Sequence, residues 1–139
     1  MKRTFVMLFS LLVITGAFAQ GNVTGKWKTI DDDTGEMKSI VEIKIVDGKL
    51  YGTILELKPG EDPEKVCDEC TDHRKGKKII GMQIITGLQK DDGKWEGDDG
   101  ILDPAKGSIY DCEIWEEDSK LQVRGYLGWF FRTQTWVRP

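Results

Sequence analysis

The sequence predicts an all-β fold, a small antiparallel up-and-down barrel of about eight strands, with a two-sheet β-sandwich as the alternative. Three observations carry this. Helical periodicity is nearly absent after residue 20, and short apolar–polar alternations recur in its place. Turns rich in Gly, Asp and Lys punctuate them, with Asp47-Gly48 as the strongest hairpin signal. The runs also follow one another through mostly tight connections, and sequential neighbours usually pair. Closing such a sheet removes exposed edges, and about eight strands enclose only a small interior.

The first segment stands outside that fold. Lys2 and Arg3 precede an apolar stretch from Phe5 to Ile14, broken by Ser10, and Ala17-Phe18-Ala19 then places small residues where a signal peptidase reads. The stretch is shorter than the about 20 residues a membrane-crossing helix needs. Residues 1–19 are therefore expected to be a cleaved signal, leaving a single domain over 20–139 that is exported, either periplasmic or secreted. Removing Lys2 and Arg3 leaves 18 of the 20 cationic side chains against 24 carboxylates, a formal charge of −6 (18 − 24). That balance speaks against nucleic acid or an anionic membrane surface as partner, since both favour a net positive face. No second apolar run of spanning length occurs, so no membrane span is expected after cleavage.

The strands can be justified in order. Trp27 to Ile30 reads as the first, ended by the polar turn Asp31-Asp32-Asp33-Thr34-Gly35. Val41, Ile43 and Ile45 alternate with Glu42 and Lys44, giving a strand with one wet face. After Asp47-Gly48, Leu50 to Leu57 returns as its partner. Lys58 to Lys78 breaks the pattern, with Pro59, Pro63, Cys67 and Cys70; a loop this long in a small domain is usually functional or partly disordered. Strands resume over Ile79 to Leu88 and, after Asp92-Gly93, around Trp95. Gly97 to Gly107 reads as turn-rich. Ser108 to Trp115, Leu121 to Leu127 and Phe130 to Val137 complete the set.

Several blocks carry a resemblance. Gly25-Lys26-Trp27-Lys28-Thr29 with the Asp31 to Gly35 turn, Ile79-Ile80-Gly81-Met82, Gly100-Ile101-Leu102-Asp103-Pro104, Val123-Arg124-Gly125-Tyr126-Leu127-Gly128 and Arg132-Thr133-Gln134-Thr135-Trp136 together resemble the family called domain of unknown function 2147. The resemblance spans essentially all of the chain after the signal. It implies a small exported bacterial protein with a lipocalin-like barrel. The opening Gly25-Lys26-Trp27 is also similar to the lipocalin start, where the Trp closes one barrel end and an Arg from a late strand covers its ring. Arg124, Arg132 and Arg138 are the available arginines, and Arg132 is assigned with Trp27 to the barrel end. The Cys67 to Cys70 segment is a departure from the family pattern.

Cys67-Asp68-Glu69-Cys70 with His73 admits three chemistries. A disulfide suits an exported protein and would clip the long loop. A redox pair is disfavoured, because the surroundings are acidic and no helix N-terminus lowers a thiol pKa. A zinc site would use Cys67, Cys70, His73 and perhaps Cys112, which is the whole His and Cys supply of the chain. Cys112 alternates with Tyr110 and Ile114 and reads as a buried thiol. On the strand near Arg124, Gln122 and Tyr126 share its face, while Leu121, Val123 and Leu127 take the other. Were that polar face inward, Arg124 and Tyr126 would form a ligand anchor with Asp103, Tyr110 and Trp115. Of Trp129-Phe130-Phe131, at least one ring should be exposed.

No nucleophile-elbow, zinc-protease or P-loop pattern is present, so no catalytic residue and no cofactor is assigned. The Asp31 to Asp33 cluster lacks the spaced ligands of a calcium loop and reads as a solvated turn. The expectation is a non-catalytic exported barrel that binds a small apolar or amphipathic ligand. An envelope protein-interaction module is the alternative and an enzyme the third reading. The sequence does not give the oligomeric state.

Overall fold

The structure is a computed structural model that describes residues 22–139. The expected signal over 1–19 and its cleavage point at Gln20 lie outside those residues. Eight strands follow one another: β1 (Gly25–Ile30), β2 (Met37–Val46), β3 (Lys49–Leu57), β4 (Gln83–Asp91), β5 (Lys94–Asp103), β6 (Ser108–Glu117), β7 (Lys120–Leu127) and β8 (Phe130–Trp136). They form one sheet in sequence order, each antiparallel to the next. A single curled sheet, not a two-sheet sandwich, is the architecture.

Three of the hairpin loops have two residues that both take positive φ: Asp47 and Gly48 (51° and 75°), Asp92 and Gly93 (48° and 79°), Asp118 and Ser119 (53° and 62°). That geometry matches the right-handed twist of the flanking strands. The sheet closes on itself where β8 returns to β1. Lys28 N donates to Val137 O at 2.7 Å and Val137 N donates to Lys28 O at 3.1 Å. Side chains stitch the rest of this seam. Asp32 accepts from Gln134 Nε2 at 3.0 Å and pairs with Arg132 at 3.0 Å.

The strand alternation puts one apolar set inside. Leu50, Ile85, Leu88, Ile114 and Leu121 are completely buried, and each such side chain stabilises the fold by about 1.5–3 kcal/mol relative to exposure. Because neighbours run in opposite directions, one end of the barrel gathers the starts of the odd strands and the ends of the even ones. Trp27, Ile43, Leu88, Trp95 and Leu121 fill that end. Trp27 Nε1 donates to Val23 O at 2.8 Å. The Arg138 guanidinium lies 3.7 Å from the Trp27 ring centroid and donates to Lys26 O (3.0 Å) and Asn22 O (2.9 Å). The arginine that covers Trp27 is thus Arg138, not Arg132, because Arg132 sits farther back along β8 and is engaged by Asp32.

Two segments differ from the sequence reading. The strand expected from Ile79 begins only at Gln83, because Gly81 turns the chain at φ 88° and Ile79 N bonds to Lys65 O at 3.0 Å. The stretch after Gly97 is strand, not loop, up to Asp103. A register irregularity between Gly97 and Ile101 absorbs the polar Asp98-Asp99 pair. It also presses Gly100 inward, where a Cβ would meet Leu88 Cδ2 at 2.5 Å and Cys112 Cβ at 3.2 Å.

Candidate functional site

The opposite end of the barrel is open. A cavity of about 670 Å³ enters there between the ends of β1, β3, β5 and β7 and the starts of β2, β4, β6 and β8. Ile54, Ile84, Leu102, Val123 and Trp136 form its apolar depth. The buried polar pair in this lining is Thr29 and Ser39, whose hydroxyls bond each other at 2.7 Å and so need nothing further. Charged side chains ring the entrance. Two carboxylates there are already committed: Glu61 pairs with Lys65 at 2.6 Å, and Asp31 Oδ1 accepts from Asp33 N (2.9 Å) and Thr34 N (3.0 Å). Those backbone donors hold the Asp31 carboxyl below its ordinary range. Among the described residues, the entrance amines of Lys38, Lys58 and Lys106 have no ion-pair partner within 4.0 Å.

The connection from β3 to β4 forms one wall of the entrance. It is ordered by its own bonds. Cys67 N donates to Lys77 O and Gly76 N to Cys67 O, both at 2.8 Å, and Arg74 fastens the segment by donating to Gln83 O at 3.0 Å. Arg74 also holds the Asp72 carboxylate, pulling its pKa to about 2 through their hydrogen bonds. Cys67 and Cys70 form a disulfide with both residues buried. The clip rests on the β5–β6 turn: Cys67 Sγ lies 3.5 Å from Pro104 O, and the Glu69 carbonyl sits directly against Gly107. The disulfide leaves no thiolates for a metal set of Cys67, Cys70 and His73. His73 points outward, 85% exposed and 4.0 Å from Asp72. Cys112 is a buried free thiol, its pKa pushed up to about 12 by burial and secondarily by Glu113.

The five residues nominated for ligand binding do not come together. Asp103 and Tyr110 line the cavity. Arg124, Tyr126 and Trp115 lie on the outside of the barrel, because Leu121 and Val123 take the inward positions of β7 and the alternation fixes the rest. Outside, they build a cross-strand network. Arg124 is sandwiched between the Trp115 ring (4.9 Å) and the Phe131 ring (4.5 Å), and its Nε donates to Thr133 Oγ1 at 2.8 Å. Tyr126 donates its hydroxyl to Glu113 Oε2 at 2.9 Å, while Lys94 holds Glu113 Oε1 at 2.7 Å. The Lys94 bond first, and the Tyr126 bond after it, keep the Glu113 carboxyl below its usual range. Arg124 is therefore not the interior cation; the arginine in the cavity lining is Arg132, paired with Asp32 at 3.0 Å.

Sequence reasoning missed the Thr29–Ser39 pair and the lysines of the entrance. An inward hydroxyl facing another across a strand pair is visible only once the register is known. The β7–β8 turn, where at least one ring of Trp129-Phe130-Phe131 is expected to be exposed, is another part of the rim. Leu127, Phe130 and Phe131 line the entrance while remaining mostly exposed.

Comparison with known proteins places the geometry. The family model described as "Uncharacterized protein conserved in bacteria (DUF2147)" matches residues 25–138. Among solved structures, protein HP1028 of Helicobacter pylori, reported as belonging to the lipocalin family, is similar at TM-score 0.71. It shares 18% identity, with 85% of this chain and 83% of that chain covered. None of the curated proteins searched matches the sequence.

Proposed function

The chain belongs to the DUF2147 family, and on that premise we propose that it is an exported, non-catalytic barrel protein that binds a small apolar or amphipathic ligand in its open end. The cavity carries this reading. Its volume of about 670 Å³ falls in the range of about 300–1,000 Å³ occupied by small-molecule sites. Its depth is apolar and its rim charged, so an apolar body would sit inside with any polar end at the entrance. The lipocalin-like fold is compatible with such binding. The disulfide favours an oxidising compartment.

Native mass spectrometry of protein purified from its own cells tests for a resident ligand without guessing its identity. The same sample gives the intact mass, which should correspond to a start at Gln20; a mass that includes Met1 to Ala19 refutes the cleaved signal. A titration with the neutral probe N-phenyl-1-naphthylamine tests the cavity directly. Gly125 faces Tyr110, and a Cβ added there finds its nearest atom at an ordinary 3.5 Å. Gly125→Leu should fold, fill the cavity and lower probe affinity about tenfold, whereas undiminished binding would refute the site. The second reading, an envelope interaction module, draws on the exposed Leu127 to Phe131 turn.

A further inference from the structure

We infer that the β7–β8 turn docks the open end of the barrel onto a bilayer surface carrying anionic phospholipids. Four of the six exposed large apolar residues of the described chain lie at this turn; the other two, Ile45 and Val46, end β2. Leu127 is 68% exposed, Trp129 85%, Phe130 64% and Phe131 59%. Trp129 stacks on Phe130 with centroids 4.3 Å apart, so the two rings form one projecting apolar plate. Contiguous apolar exposure of this kind marks an interaction site.

Shape and charge point to lipid. The plate sits on the tip of a two-residue hairpin, which is convex. A bilayer interface receives a convex aromatic tip anywhere along its surface, and Trp is enriched at that depth. The overall acidity of the chain hides a local reversal. No carboxylate occurs from Lys120 to Pro139, in a chain of formal charge −4. Arg124 and Arg132 stand within a few residues of the tip, Arg132 paired with Asp32 at 3.0 Å, while Lys120 and Arg138 lie at the closed end. The acidic side chains of the entrance, Asp31, Glu61, Asp68, Glu69 and Asp103, all lie outside this hairpin. The apolar tip, with Arg124 beside it and the entrance amines of Lys38, Lys58 and Lys106 on the same rim, fits an anionic headgroup layer. The position has a use as well. Leu127, Phe130 and Phe131 border the cavity, so docking would bring its mouth against the lipid.

The inference stands apart from the cavity reading, since ligand-free protein is tested. Processed wild-type protein and the double variant Trp129→Ser/Phe130→Ser are floated with vesicles of phosphatidylethanolamine and phosphatidylglycerol, and with vesicles of phosphatidylcholine alone. Both side chains project from the fold, so the variant should keep the wild-type melting temperature. Wild type should float with the anionic vesicles, the double variant should partition about tenfold less, and added salt should weaken wild-type binding about threefold. Wild-type protein that remains in the aqueous fraction, or a double variant that floats equally well, would overturn the proposal. So would a wild-type dimer, seen by sedimentation and lost in the double variant, because a second copy would then cover the tip.

Discussion

Gly107→Ala should damage the protein far more than its size suggests. Gly107 closes the β5–β6 turn at φ 69°. An alanine in that left-handed region costs about 1–2 kcal/mol, partly offset by about 0.4–1 kcal/mol from the stiffer unfolded chain. Steric overlap adds more. A Cβ at this position overlaps the Glu69 carbonyl and comes within 3.0 Å of Cys70 N. Both are backbone atoms of the disulfide-clipped wall, so no rotamer change relieves the overlap and the wall must shift. Overpacking of this kind costs about 1–3 kcal/mol, for a total of about 2–4 kcal/mol. For a domain near this size, that corresponds to a fall in Tm of about 10–15 °C. Gly128→Ala is the matched control. Gly128 has φ 60° but nothing within 4 Å of an added Cβ, so only the backbone strain remains, and Tm should fall by less than about 5 °C. Thermal melts of both variants under oxidising conditions decide the matter. Equal shifts would mean that the contact between Glu69 and Gly107 does not hold the wall in place.

Three further outcomes are expected. Arg138→Ala should lower stability by about 1–2 kcal/mol, through the lost stacking on Trp27 and two carbonyl hydrogen bonds, and Arg132→Ala by less; chemical denaturation midpoints will rank them. Thiol titration should find no reactive Cys in the native protein at pH 8, since burial pushes Cys112 to about 12, and one reactive Cys after unfolding without reductant, since Cys67 and Cys70 are joined. Asp72 has a folded pKa of about 2 against an ordinary 3.8. Its pairing with Arg74 should thus stabilise the β3–β4 connection fully above pH 4, with that contribution lost as pH falls towards 2. Melts across that interval should show the loss in wild type and a flatter profile in Asp72→Asn.

Much of the barrel was legible because its turns announce themselves. Asp47-Gly48 and Asp92-Gly93 supply the positive φ values that two-residue hairpins need, and the alternations of β2, β3 and β7 assign residues to faces. The second half of β5 was not legible. Gly97-Asp98-Asp99-Gly100 has the composition of a turn, and only the close approach of Gly100 to Leu88 shows why a strand is held there. The site was read less well than the fold. Period-2 spacing grouped Gln122, Arg124 and Tyr126 correctly but did not say which face was inside. The burial of Leu121 and Val123 decides that, and it puts the nominated arginine outside the cavity. Choosing Arg132 over Arg138 for Trp27 failed for a similar reason: the position of the chain across the seam decides which guanidinium reaches the ring.

The seam between β8 and β1 also makes the strand order cyclic. Arg138 Nη2 bonds Asn22 O at 2.9 Å, so the two described ends of the chain lie side by side. A short linker from Pro139 to Asn22 would turn that seam into an ordinary connection, and a cut between Asp92 and Gly93 would open the chain at a hairpin tip instead. The permuted protein would begin at β5 and finish at β4 with every neighbouring pair kept. What specifies this barrel is the circular succession of its strands, and the point at which the ribosome starts reading them is interchangeable.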